Sequence, residues 1–295
     1  MPEGVECLVV AESLQQWCKK QDPDNNGSIG LELEEIIDEV VVRNSPIPFS
    51  QFDECYDRVN YPKIATFGKT IFIPATNGYC LSAQLGMTGN FSDELTDHSK
   101  IHFTSDFSNL YYNDIRKFGH LMLFEKKNIP RNIKNLLKNS IDWRNQKAPE
   151  LFAKRVRKRK SWQNSEIKTI LLNQQLIAGI GNIYACECLF SARVDPRISV
   201  KDLPDEILIE IIKKCQEIMH KSHAVGGMTI YNFENFGKKG FGRSQLNVYN
   251  KRGIGCRECN AAIIQRIKQD NRSTFYCPRC QRGISECLEE KKSKT

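Results

Sequence analysis

The chain lacks any apolar run approaching the ~18 residues of a membrane-spanning helix, so no spanning segment and no membrane partner are expected. Its start, MPEGVE, lacks the basic segment followed by an apolar stretch that marks a secretory signal. No segment repeats. Neither sign of charge dominates: 43 Lys and Arg stand against 35 Asp and Glu, a net charge of +8. That modest basic balance favours a polyanionic partner without demanding one. Eight of the twelve cysteines (Cys7, Cys18, Cys55, Cys80, Cys186, Cys188, Cys215 and Cys287) lack the spacing of a disulfide framework. In a chain of 295 residues this points to free, mostly buried thiols in a reducing, intracellular compartment, cytoplasmic or nuclear. One motif lacks its principal member. Asp22, Asp24, Asn26 and Gly27 match positions one, three, five and six of a calcium-binding EF-hand loop, but position twelve is Leu33. Leucine offers no oxygen where a bidentate Glu is required, so residues 20–34 read as an inserted turn.

What the chain does have is a second cysteine class. Cys256 and Cys259 form one CxxC pair, Cys277 and Cys280 another, with seventeen residues between the pairs. Four thiolates at this spacing suit one tetrahedral zinc. A closed four-sulfur shell leaves no open position, so the zinc is structural and no catalytic metal is expected. Between the pairs, AAIIQRIKQDNRSTFY alternates loosely and breaks at Gln269-Asp270-Asn271, which reads as a two-stranded hairpin with Arg272 near its tip.

The periodicities divide the rest. Residues 1–20 carry an apolar stripe at helical spacing. From about 35 to 125, runs such as IIDEVVV, TIFIPA, GYCLSAQLGM, KIHFTS and GHLMLFE are strand-like and separated by turn residues. They predict an antiparallel β-sandwich. Residues 150–225 read as helical, and 204–222 places Ile207, Leu208, Ile211, Ile212, Cys215, Ile218 and Met219 on one face. The expected organisation is an α+β multidomain chain. An N-terminal helix and β-sandwich occupy 1–130, a linker 131–149, a helix–two-turn–helix domain 150–245, the zinc finger 246–285 and a charged, disordered tail 286–295. Residues 226–246, rich in Gly and Lys, read as a mobile loop.

Three features carry chemistry. Removal of Met1 would leave Pro2 as a secondary amine, and an α-amino group with a pKa near ~7.7–8.0 is partly neutral and nucleophilic at physiological pH. Glu3 beside it can move protons. In SEIKTILLNQQLIAGIGNIYACECLF, residues 165–190, a helix runs to about Gln175, Gly179 and Gly181 permit a tight turn, and a second helix begins near Asn182. Helix N-termini and turn amides bind phosphate. The basic run Lys154 to Lys160 reads as a solvated face, a localisation signal or part of a DNA-binding surface.

Six spaced segments together resemble the formamidopyrimidine-DNA glycosylase / endonuclease VIII family of base-excision repair: MPEGVE, TFGKTIFI, LGMTGNF, DIRKFG, IAGIGNIYACECLF and CRECN…NRSTFYCPRC. The MPEG opening is similar to the endonuclease VIII and Nei-like branch. The complete finger and the Met-bearing loop are similar to the formamidopyrimidine branch, and the 20–34 insertion departs from the compact bacterial pattern.

The resemblance implies a bifunctional glycosylase and AP lyase that removes oxidised bases, oxidised pyrimidines above all, and cleaves the strand by β,δ-elimination. Pro2 would be the nucleophile, Glu3 the acid/base, Glu6 a second carboxylate and Lys69 a phosphate contact that assists catalysis. Met87, Arg116 and Phe118 would fill the void left by an extruded base. Asn182 and Arg272, with help from Lys168, would grip phosphates from opposite sides. Damaged DNA, duplex or single-stranded, would lie between the two halves of a monomer, with the 226–242 loop closing over the lesion. The alternative from a different class is a non-catalytic zinc-finger protein that binds nucleic acid. It has no need of Pro2, Glu3 and Lys69. A calcium-responsive interaction protein is the third reading, and Leu33 argues against it.

Overall fold

A computed structural model of the chain describes residues 2–38, 41, 42, 45–105, 108–228, 236 and 242–281. The chain forms two compact units, Met1–Lys138 with His223–Arg243, and Asn139–Ser222 with Ser244–Thr295.

The first unit opens with helix α1 (Gly4–Lys20), then β1 (Ser28–Gly30), β2 (Glu32–Ile36), α2 (Phe52–Cys55), β3 (Arg58–Asn60), β4 (Ala65–Phe67) and β5 (Thr70–Pro74). It continues with β6 (Tyr79–Gln84), β7 (Asn90–Ser92), β8 (Ser99–Thr104), β9 (Asn109–Asn113), β10 (His120–Glu125) and α3 (Arg131–Asn139). Two four-stranded antiparallel sheets result, in the orders β10-β6-β5-β4 and β2-β8-β9-β7. Alternation decides what each strand buries. Ile71, Ile73, Leu81, Ala83, Leu121 and Leu123 of one sheet share a core with Phe91, Ile101, Phe103 and Tyr112 of the other and with Val10, Ala11 and Leu14 of α1. The opposite face of the first sheet is apolar too: Cys80, Met122 and Phe124 pack with Ile133 of α3. Burial on both faces explains why HLMLFE reads as a continuous apolar run instead of alternating.

Two strand expectations change here. IIDEVVV is no single strand: β2 ends at Ile36, and Ile37 and Asp38 donate their N–H groups to the Lys100 carbonyl. The 20–34 insertion contributes β1 and most of β2, so it is more than a turn. The Asp22 carboxylate accepts the Gly27 N–H at 2.8 Å and the Tyr61 hydroxyl at 3.2 Å. These bonds hold its pKa below the usual aspartate value despite the opposing effect of burial.

The second unit contains β11 (Ile141–Asp142), α4 (Ala148–Val156), α5 (Lys160–Gln163), α6 (Ile167–Leu171), β12 (Ile177–Ala178) and α7 (Asn182–Ser191). The long helix α8 (Asp205–Ala224) and the hairpin β13 (Gln265–Gln269) and β14 (Arg272–Tyr276) follow. The helix expected to reach Gln175 stops at Leu171, because the chain turns into β12, which pairs in parallel with β11. At Gly179 the backbone has φ 104°, and a Cβ would overlap the Trp143 ring, so glycine alone fits. The arginines of the basic run have partners within the unit, while Lys154, Lys158 and Lys160 are exposed. Arg157 donates to Asp205 and to the carbonyls of Val200 and Leu203, Arg155 bonds the Asn139 carbonyl, and Arg159 stacks on Trp162. Of the loop expected at 226–246, residues 229–235 and 237–241 lie outside the described residues, as does the tail from 282 onward.

Candidate DNA-repair active site and nucleic-acid interface

The start of α1 gathers the N-terminal candidates. Glu3 is the N-cap residue and forms a capping box with Glu6, whose carboxylate accepts the Glu3 N–H at 2.8 Å. The other Glu6 oxygen accepts the Met228 N–H, also at 2.8 Å. Glu3 and Glu6 are both about 1% exposed, and Pro2 is buried. The spacing of Glu3 and Glu6 is itself the capping-box signature. Glu6, expected as a second carboxylate for the chemistry, has both oxygens engaged by backbone amides.

Lys69 lies on the two-residue turn between β4 and β5, with Gly68 at φ 56° and Phe67 paired to Thr70. The Cys7 thiol, one helical turn after Glu3, donates to the Lys69 carbonyl at 3.4 Å. Burial, with the Glu6 carboxylate adding to it, pushes the Cys7 pKa up to about 12, so the sulfur keeps the proton it donates. Cys7, one of the thiols without framework spacing, ties the Lys69 turn to α1.

Met87 sits half-buried in the loop between β6 and β7. Arg116 and Phe118 sit in the loop between β9 and β10, with Phe118 53% exposed and the Arg116 guanidinium 5.1 Å from its ring centre. An exposed aromatic under a stacked cation is not a core residue.

In the second unit, Lys168 is 0% exposed, and its ammonium donates to the Asn182 side-chain oxygen at 2.6 Å. The Asn182 amide donates to the Ser273 carbonyl at 2.8 Å. Asn182, in the first turn of α7, is thereby tied to the residue after Arg272 at the start of β14. Lys168 stands behind Asn182, which places its ammonium away from solvent. Arg272 is exposed beside a two-residue turn in which Asp270 and Asn271 both have positive φ, the primed geometry that suits a twisted hairpin.

The four cysteine sulfurs lie within 4.8 Å of one another, with Cys256 to Cys280 at 3.6 Å and Cys259 to Cys277 at 3.8 Å. Tetrahedral Zn–S bonds of ~2.3 Å require sulfurs about 3.8 Å apart, so the donor set fits one structural zinc. Val248, Ile264 and Phe275 of the finger pack on Cys186 and Phe190 of α7. Cys186 is thus a packing residue, as its helical position suggested.

Comparison with known proteins now bears on this geometry. Residues 1–121 match the formamidopyrimidine-DNA glycosylase N-terminal domain, 142–234 its H2TH domain and 256–283 the zinc finger found in FPG and IleRS. A formamidopyrimidine-DNA glycosylase of Listeria innocua is 34% identical over 260 residues, covering 83% of this chain and 92% of that protein. The chain belongs to the formamidopyrimidine-DNA glycosylase family.

A Rickettsia africae member is 34% identical over 72% of this chain and 78% of its own length. A complex of the Lactococcus lactis Fpg with abasic-site DNA superposes with a TM-score of 0.81 at 26% identity, covering 95% of this chain and all of that one. The Thermus thermophilus MutM (FPG) structure gives 0.79 at 25% identity, over 95% and 98% of the two chains. The glycosylase family membership makes this chain a DNA glycosylase and AP-site lyase of base-excision repair. No helix among the described residues is long and apolar enough to cross a membrane.

The family fold also exposes residues that motif reading passed over. The Glu187 carboxylate, 2% exposed, accepts the backbone N–H groups of Asn247, Val248 and Tyr249 at 2.8–2.9 Å. It fixes the segment that enters the finger. The signal was a charged residue in the otherwise apolar ACECLF, since a buried carboxylate must find donors.

Proposed function

We propose that this glycosylase acts through the Pro2 amine, with Glu3 as proton carrier and Lys69 at the adjacent phosphate. The arrangement around the start of α1 supports this reading: Glu3 at the helix N-cap, and the Lys69 turn bonded to Cys7 one turn away. The Pro2 nitrogen attacks C1′ as the bond to the damaged base breaks, and the base leaves with the bonding electrons and takes up a proton. Protonation of the sugar ring oxygen, the task assigned to Glu3, opens the ring and leaves an iminium between Pro2 and C1′. Loss of a C2′ proton then expels the 3′ phosphate, and a second elimination expels the 5′ phosphate. Water hydrolyses the iminium and returns the amine. Glu6 holds Glu3 and Met228 in place through their backbone N–H groups.

Met87, Arg116 and Phe118 fill the space the base vacates, a flexible thioether, a planar cation and a ring each suited to contact with bases. Arg272 and the neighbouring Asn182 grip the backbone, with Lys168 orienting the Asn182 oxygen. The MPEG opening supports a Nei-like lesion range that includes oxidised pyrimidines. The relatives' names and the Met-bearing loop favour formamidopyrimidines, which is the second reading. The protein works as a monomer in an intracellular compartment and accepts single-stranded as well as duplex DNA.

Borohydride added during reaction with an abasic-site oligonucleotide tests the chemistry. The expected product links DNA to the peptide that begins at Pro2, and an N-terminal tag abolishes it. A link at Lys69 overturns the assignment. A panel of oxidised pyrimidines, formamidopyrimidines and oxidised purines in duplex and single strands, read for products of β- and δ-elimination, separates the two lesion readings.

A further inference from the structure

The two insertion loops are separate in sequence but share one buried carboxylate. Asp114, 0% exposed, follows the last residue of β9. Its Oδ1 accepts the Thr88 hydroxyl at 2.5 Å and the Arg116 N–H at 3.2 Å, and its Oδ2 accepts the Gly119 N–H at 2.8 Å. The Thr88 oxygen in turn accepts the Arg116 N–H at 3.1 Å. Thr88 is 6% exposed and adjoins Met87, while Arg116 and Gly119 flank Phe118. Beneath them, a Cβ at Gly119 would overlap the Tyr112 hydroxyl, so the second loop is pressed onto β9 with no room for a side chain.

With the base-extruding reaction proposed above as its premise, we propose that Asp114 and Thr88 form a clamp. The clamp makes the Met87 loop and the Arg116–Phe118 loop one rigid wedge. Neither residue touches substrate; both are positioning residues. The chemistry of the donors selects a carboxylate. Aspartate accepts on both oxygens, and here the donors come from both sides. Asparagine keeps one acceptor and turns an NH₂ group either toward the Gly119 N–H or toward Thr88 and the Arg116 N–H, so a donor faces a donor. Loss of one bond to a buried charged group then lets the loops move independently. Void filling by one wedge becomes two separate ordering events, one for each loop, each with its own entropy cost.

A purely local turn motif would predict a different outcome, so the test must read more than folding. Thr88→Val removes the hydroxyl and keeps the shape, Thr88→Ser keeps the hydroxyl, and Asp114→Asn removes one acceptor. Each variant is compared with wild type on a duplex carrying an oxidised base, with 2-aminopurine opposite the lesion to report filling of the void. Each is also compared by borohydride trapping on a single-stranded abasic oligonucleotide, where no base is extruded and no void is filled. Thr88→Val and Asp114→Asn should lose duplex excision by roughly ten- to a hundredfold, the size of one lost hydrogen bond to a charged group. They should lower the 2-aminopurine response while single-stranded trapping stays at the wild-type rate. Thr88→Ser should restore both signals. Wild-type excision and fluorescence in Thr88→Val overturn the clamp. So does equal loss of excision and trapping in a variant whose melting temperature is unchanged. Wild-type protein inert on every substrate overturns the glycosylase premise itself, an outcome distinct from a failed clamp in an active enzyme.

Discussion

The Arg116–Phe118 loop of the first unit and the zinc hairpin of the second both present an arginine on an exposed turn, and they support it in opposite ways. Arg116 stands on a loop braced by the buried Asp114 carboxylate, over a sandwich whose core runs through both four-stranded sheets. Arg272 stands on a two-stranded hairpin that packs on α7 through Phe275, beside Val248 and Ile264 of the same finger. An isolated two-stranded hairpin is marginal in water. The first arginine therefore depends on packing and one polar bridge, the second on a metal. Removing each support should damage only its own tip.

Metal removal is the largest test. Structural zinc supplies apparent binding free energies of ~10–16 kcal/mol in small finger domains, far more than this hairpin could recover by burial. Chelation, or Cys277→Ser, should abolish amide protection in β13 and β14 and weaken DNA binding. Protection in β5, β6 and β10 should persist. Unchanged protection of the hairpin after the zinc has been removed, checked by metal analysis, would show that α7 packing alone holds Arg272.

A smaller perturbation compares close approach in the two units. Gly119→Ala drives a methyl into the Tyr112 hydroxyl, and Gly179→Ala drives one into Trp143 at a backbone of φ 104°. Overpacking costs about 1–3 kcal/mol, and the positive φ adds roughly 1–2 kcal/mol at Gly179 alone. Gly179→Ala should therefore lower the melting temperature of the chain more than Gly119→Ala. The latter should in addition blunt duplex excision, because it displaces the wedge. The reverse order of melting temperatures would mean that the loop yields less readily than the turn.

What the sequence reveals of these two tips differs in kind. The four cysteines are legible at once, because metal ligation demands fixed residue types at fixed spacing, and the sulfur positions agree. The start of α7 at Asn182 and the exposed turn at Arg272 follow from local signals, Gly-rich turns and a break in alternation. Asp114 was passed over because its partners lie at Thr88 and Gly119, and no local pattern encodes a pairing across two loops. Glu6 is the local counterpart: its spacing from Glu3 is that of a capping box, and the structure forms one. Lys168, expected from the resemblance to help at the phosphates, is buried. Its position in IKTIL, an apolar turn of α6 that is buried throughout save Thr169, is what takes it inside.

The smallest effect sharpens the contrast most finely, because it separates charge from geometry at the finger tip. Arg272 is exposed and carries charge, whereas Asn182 is neutral and already bonded to the Ser273 carbonyl at 2.8 Å. A cation that neutralises one phosphate releases counterions, and the log–log dependence of affinity on salt becomes shallower by about 0.9 when it is removed. Arg272→Ala should weaken binding to an abasic-site duplex and lower the slope by that amount. Arg272→Lys should keep the slope while losing affinity, because the point charge survives but the planar fork does not. Asn182→Ala should weaken binding at an unchanged slope, since it removes a hydrogen-bonding group and loosens the hairpin without altering charge. Titrations of the three variants across a salt series measure all of this. An unchanged slope in Arg272→Ala would place the finger tip off the DNA and leave the zinc a purely architectural role.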